Sequence, residues 1–259
     1  MNHASFLETA VTAAREAGRI QLQHLGTDLG ITSKSTESDL VTLVDKACET
    51  AIRQRILETH PGHAILGEEE GSVGSGAHQW IVDPLDGTVN YAHGFPFFCV
   101  SIALEIHGER VVGVVYDAVR DELFHAVKGE GAFMNGQPLR VSSQPALNGR
   151  AMLATGFPYD AESALTALES SNASSLSACR FDAPAQPPWT CATSAADARR
   201  LLRSTNSTAW DCAAAILIIE EAGGRTSSFT GATYQYADKK LVASNGLIHD
   251  AMLEVIAGK

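Results

Sequence analysis

Apolar residues recur at helical spacing from Phe6 through Ala10, Ala14, Ala17 and Ile20, which predicts an amphipathic helix near the start of the chain. A polar, glycine-bearing connection over 26–36 follows and contains Lys34-Ser35. Ser38 or Asp39 is placed to cap a second helix running to about Glu58, with Val44, Ala47, Ala51 and Ile56 along one side. His60-Pro61-Gly62 stops it, and the short apolar run Ala64-Ile65-Leu66 predicts a strand that delivers Glu68 and Glu69 at its end. A second apolar run, Trp80-Ile81-Val82, is expected to end where Pro84 fixes its own φ and biases Asp83 toward extended backbone. Beyond it, Cys99–Ile106, Val111–Tyr116 and Glu122–Val127 read as strands, and Asn135-Gly136 is a strong hairpin signal. Helical character returns over Trp210–Ala222 before Gly223-Gly224, then a late strand at Leu241–Ser244 and a closing helix at Asp250–Ile256. Such alternation predicts a layered α/β or α+β fold.

Composition narrows the class of protein. With 259 residues and 45% hydrophobic positions the chain can bury a large core, as one big domain or two packed halves. No apolar run is long enough to span a bilayer. Met1–Gly18 lacks the basic start and continuous apolar block of a secretory signal. Five cysteines (Cys48, Cys99, Cys179, Cys191 and Cys212) form no Cys-x-x-Cys pair, which suits reduced thiols in a cytoplasmic protein. A net charge of −11 argues against a sequence-independent grip on nucleic acid, because that grip needs Lys and Arg to neutralise phosphates. It leaves a small phosphate ester open, since bound metals supply local positive charge.

The candidate chemistry sits on short, turn-rich segments. Asp83-Pro84-Leu85-Asp86-Gly87-Thr88, Gly67-Glu68-Glu69 and Trp210-Asp211 bring four carboxylates into view. Hard divalent cations take oxygen ligands, and Mg²⁺ is commonly held by a few carboxylates plus substrate phosphate oxygens. Gly87 permits a tight turn with amide N–H groups toward an anion, and Thr88 adds a hydroxyl. From spacing alone, Asp45 is a solvated helix residue and Asp211 an acid in a first helical turn.

Trp80-Ile81-Val82-Asp83-Pro84-Leu85-Asp86-Gly87-Thr88-Val89-Asn90-Tyr91 resembles the central signature of the inositol monophosphatase family, and Trp210–Ala215 with Glu221-Ala222-Gly223-Gly224 resembles its C-terminal one. The resemblance implies a layered α-β-α-β-α sandwich of the inositol monophosphatase and fructose-bisphosphatase type. Its halves would be 1–145, carrying most metal ligands, and 146–259. It implies Mg²⁺ bound by Glu68, Asp83, Asp86, Asp211 and the carbonyl of Leu85. Asp45 and Thr88, with Glu68, would position a metal-activated water for attack on phosphorus. Asp86, Gly87, Thr88 and Asp211 would touch the substrate. Lys34 would be a loop residue near the site, Glu69 would tune the metals through an outer contact, and Glu70 would be exposed charge. The implied reaction is hydrolysis of a small phosphorylated polyol, inositol monophosphate first, by a lithium-sensitive cytoplasmic homodimer with no nucleic-acid or membrane partner. Fructose bisphosphate, histidinol phosphate and nucleotide 3′-phosphates are alternative substrates. An inactive metal-binding or protein-interaction relative is the alternative of another class.

The resemblance covers roughly 6–159 and 209–257. Between them, 161–208 departs from the family's helix, substrate-touching turn and strand, and Ala183-Pro184-Ala185-Gln186-Pro187-Pro188 suits neither a regular helix nor a central strand. Codon arithmetic offers a physical origin, a shifted reading frame. Trp189-Thr190 necessarily contains GAC one frame over, and 187–193 can then encode Ala-Leu-Asp-Leu-Cys-Tyr, while Arg199–Arg203 in the other frame can encode Asp-Gly-Tyr-Tyr-Glu. Either way, the wall that selects substrate is expected to differ from the family's.

Overall fold

The computed structural model describes residues 3–27, 32–33, 40–148, 152–155, 180–182, 200–205 and 208–258. Lys34 and most of 161–208, including the proline-rich 183–188, lie outside them. α1 (Ala4–His24) buries Ala10, Ala13, Ala14 and Ala17, small side chains that let it lie close against α2 (Leu43–Thr59). The second helix starts later than the sequence pattern predicts. Leu40–Val41 is a short strand, β2, paired with β1 (Thr32–Ser33), and Thr42 is the cap. Thr42 wins because its hydroxyl accepts the Val44 and Asp45 N–H groups at 3.1 and 3.4 Å while Asp45 returns a bond to the Thr42 N–H.

Both helices pack on one face of an eight-stranded sheet. Its members are β3 (Ala64–Gly67), β4 (Gly71–Val73), β5 (His78–Asp86), β6 (Cys99–Ile106), β7 (Glu109–Asp117), β8 (Glu122–Val127), β9 (Gly131–Met134) and β10 (Gln137–Leu139). The order is β10-β9-β8-β7-β6-β5-β3-β4, antiparallel except for the parallel β3–β5 pair. Strands β5 to β7 are buried on both faces, so they read as continuous apolar runs rather than alternating ones. The period of two survives in what each residue touches. Trp80, Val82, Val100, Ile102 and Leu104 face the first two helices, whereas Ile81, Cys99, Ala103 and Val115 face the other way. The hairpin expected at Asn135-Gly136 joins β9 to β10, with positive φ at both turn residues.

α4 (Ala209–Glu221) covers that second face and is apolar nearly all round, as a helix between two sheets must be. Beyond it lies a five-stranded sheet built from β11 (Met152–Thr155), β12 (Arg180–Asp182), β13 (Arg200–Thr205), β14 (Arg225–Ser228) and β15 (Lys240–Ser244), in the order β12-β11-β13-β15-β14. α5 (His249–Ile256) closes the stack on β15. The layers therefore run α-β-α-β-α, as the resemblance implied. Two of the strands, β12 and β13, come from the 161–208 stretch, for which no family-like element was expected. No helix among the described residues is long and apolar enough to cross a membrane.

Candidate metal and phosphate site

The acidic residues meet where β3 and β5 end side by side. The parallel register sets Gly67 against Val82, so Glu68 follows directly beside Asp83, and the Glu68 N–H donates to the Val82 carbonyl at 3.2 Å. Asp83 and Asp86 were expected on a turn after the strand. They lie instead on β5 itself, across a bulge that sets Asp83 against Ser101 and Asp86 against Cys99, so that Pro84 and Leu85 oppose Val100 alone. Pro84 is compatible with the strand here because a bulge needs no N–H from it. Its carbonyl accepts from Gln21 Nε2 at 3.0 Å, and the Leu85 N–H turns back to Asp83 Oδ1 at 3.2 Å. The extra residue aims both carboxylates to one side of the sheet end.

Asp83 is buried, and its carboxyl is held well above the usual range, first by that burial and then by the charges of Glu68, Asp86 and Asp211. Asp211 thus shares the field of the other three although it lies more than a hundred residues away. It occupies the first turn of α4, where its Oδ2 accepts the Thr208 N–H at 2.6 Å. The expected place in a first helical turn holds, with one oxygen serving the backbone, and the Asp211 charge still reaches Asp83.

Gly87 has φ of 89°, and a Cβ there would approach the Phe97 carbonyl to 3.0 Å, so only glycine fits the step from β5 into the short α3 (Thr88–Ala92). Thr88 follows at once. Its hydroxyl lies 3.0 Å from Asp45 Oδ1 and 3.1 Å from the Leu85 carbonyl. Asp45 is not the solvated helix residue that spacing suggested. It is fully buried, because the Thr42 N–H and hydroxyl hold its Oδ2 at 2.8 and 2.5 Å and turn Oδ1 toward Thr88. Sequence reasoning missed Thr42, although Thr42-x-x-Asp45 has the spacing of a reciprocal cap. It also missed Glu49 and Arg53, which lie one and two turns further along the same helix. Glu70 is more than exposed charge, since its carboxylate lies 3.4 Å from Arg53 Nε.

A divalent cation suits this donor set. Four carboxylates sharing one buried field repel one another, and a hard cation with oxygen ligands relieves that repulsion. Among the described residues, no group of three or more His, Cys, Asp or Glu side chains is placed to hold a metal ion. An ion that keeps several waters and takes phosphate oxygens needs no closed cage.

Five α and β layers with an acidic cluster at the strand ends define a layered α+β protein with a candidate cation site. The comparisons with known proteins make this specific: the chain belongs to the inositol monophosphatase family, whose model matches residues 2–258. It is 34% identical to inositol monophosphatase 2 of Solanum lycopersicum over 267 aligned positions, covering 97% of each chain. It is 38% identical to Nus factor SuhB of Escherichia coli strain K12 over 251 positions, covering 95% of this chain and 94% of the relative. The solved inositol monophosphatase of Anabaena superposes with a TM-score of 0.89 at 32% identity, over 100% of this chain and 97% of that one. The match runs through the 161–208 stretch as well, and these relatives support phosphatase chemistry as the general activity.

Proposed function

We propose that this chain is a Mg²⁺-dependent phosphatase of small phosphate monoesters, with inositol monophosphate as the first substrate. The observation that carries the reading is the field around Asp83: a carboxyl raised first by its burial and then by three other carboxylates, which come from three separate segments of the chain. In this reading Glu68, Asp83, Asp86, Asp211 and the Leu85 carbonyl hold the cation. When bound there, it supplies Lewis-acid polarisation of the phosphoryl oxygens and makes water a better nucleophile at neutral pH.

The chain's own residues do the rest. Thr88 and Asp45 orient the attacking water: the Thr88 hydroxyl donates to Asp45 Oδ1, which leaves the threonine oxygen free to accept from a water. The water's proton then has a path through Thr88 toward Asp45, whose other oxygen is fixed by Thr42. Asp86, Gly87, Thr88 and Asp211 line the ester's position, the glycine letting backbone approach the phosphate closely. Lithium sensitivity, a cytoplasmic location and a homodimer belong to the same reading.

Asp86→Asn tests the ligand set. Calorimetric titration with Mg²⁺ is expected to show much weaker binding, with turnover falling in parallel; unchanged binding and turnover in a folded variant would remove Asp86 from the site. A second reading has its own support, because the relatives named Nus factor SuhB reach 39% identity. A factor role would then accompany or replace turnover, and a chain that binds Mg²⁺ yet hydrolyses no phosphate ester would favour replacement.

A further inference from the structure

The first helix turns that carry Asp45 also hold the other side of the site. Asp45, Glu49 and Arg53 recur every four residues along α2, so they lie on one face, and all three are buried. Glu49 reaches the connection between β3 and β4, which is Glu68-Glu69-Glu70. Its Oε2 accepts the Glu69 N–H at 2.7 Å, and its Oε1 accepts the Glu70 N–H at 3.0 Å. Arg53 completes the clamp. Its Nε donates to Glu49 Oε1 at 2.8 Å, and a terminal guanidinium nitrogen donates to the Gly71 carbonyl at 2.5 Å. One buried ion pair therefore binds the backbone at three successive residues, 69, 70 and 71, immediately after Glu68. The fit is tight. A Cβ on Gly67 would run into the Glu49 carboxylate and come within 2.8 Å of the Arg53 guanidinium, so the carboxylate lies flush against the strand end.

A buried ion pair is a poor device for stability alone, because desolvation offsets most of its attraction. It is a good device for geometry, because charge-assisted bonds are short and directional. We propose that Glu49, locked by Arg53, is a positioning residue for the metal site. It fixes the turn that presents Glu68 to Asp83 and so sets the affinity for the divalent cation. It also ties that ligand to the helix that carries Asp45, so cation and attacking water are registered by one rigid element. This inference rests on the metal-site reading above, and its test separates the two.

The full chain, freed of divalent ions, is titrated calorimetrically with Mg²⁺ as wild type, Glu49→Gln and Arg53→Lys. In Glu49→Gln an amide nitrogen opposes a backbone N–H. Its Mg²⁺ affinity is expected to fall about tenfold, the low end of the loss seen when outer partners of metal ligands are removed. In turnover assays the half-saturating Mg²⁺ rises by a similar factor, while kcat at saturating Mg²⁺ changes far less. Arg53→Lys keeps the charge but lacks the fork that reaches both Glu49 and Gly71, so it moves in the same direction by a smaller factor. Met252→Ala, in α5, serves as a control that lowers thermal stability and leaves Mg²⁺ affinity where it was. Wild-type affinity in folded Glu49→Gln overturns the proposal, and so does an affinity loss that Met252→Ala reproduces. If Glu49→Gln does not fold, wild-type affinity in Arg53→Lys overturns it instead. No Mg²⁺ binding by the wild type removes the metal-site reading itself, and this proposal with it.

Discussion

Buried carboxylates and imidazoles in this chain differ sharply in what surrounds them. Asp45 is surrounded by donors from Thr42 and Thr88, whereas Asp83 is surrounded by other acids. His249, fully buried at the start of α5, is held between two hydroxyls, with Nε2 2.7 Å from Ser227 Oγ and Nδ1 2.8 Å from Ser244 Oγ. Burial and then the nearby Arg225 charge push its pKa down from 6.5 to about 4. Between those values the unfolded chain binds the proton and the folded chain does not, so stability rises with pH across that window. It is fully present above about 6.5 and lost as pH falls toward 4. The urea midpoint is therefore expected to drop from pH 6.5 to pH 4.5, and His249→Asn is expected to flatten that drop. His60 and His63 are lowered for the same first reason, burial, and keep part of the slope in the variant. An identical slope in His249→Asn would contradict the assignment.

Between elements, α4 lies with its backbone close against the large sheet. Gly113 on β7 faces the Ala214 backbone, and a Cβ there would lie 2.7 Å from the Ala214 carbonyl oxygen. That neighbour is backbone and cannot step aside, so Gly113→Ala should cost about 1–3 kcal/mol, the usual range for overpacking a core. Equilibrium urea unfolding reads this directly, and a neutral result would mean that the helix can shift. Elements of this kind differ in how legible they are from sequence. Cys99–Ile106 and Glu122–Val127 are readable in full because turn residues bracket a mostly apolar run of strand length. The start of α2 is not, because Ser38, Asp39 and Thr42 are all good caps and only pairing of Leu40–Val41 decides among them. The bulge in β5 is hidden for a related reason: Asp-Pro-Leu-Asp-Gly has turn chemistry, and the neighbouring strand keeps it in the sheet. The four carboxylates that the resemblance singles out do meet in one field around Asp83, whereas nothing in the sequence singles out Glu49. Its weight comes from two backbone N–H groups on a distant turn, and no local pattern announces such contacts.

At the scale of the whole molecule, the five layers place each part of the site on a different element. β3 brings Glu68, the bulged end of β5 brings Asp83 and Asp86, α2 brings Asp45, and the central helix α4 brings Asp211 from between the sheets. The short 3-10 turn before β15 is also tied to the large sheet, where the Tyr236 hydroxyl donates to Glu105 at 2.5 Å and lies 3.3 Å from an Arg110 guanidinium nitrogen. In the proposed function this assembly hydrolyses phosphate esters with a divalent cation. Phosphate release from inositol 1-phosphate by the purified chain, with and without Mg²⁺, tests it most directly. Release is expected to depend on Mg²⁺ and to be abolished by a chelator. Release that persists undiminished without the cation, or none from a folded chain that binds Mg²⁺, would contradict it.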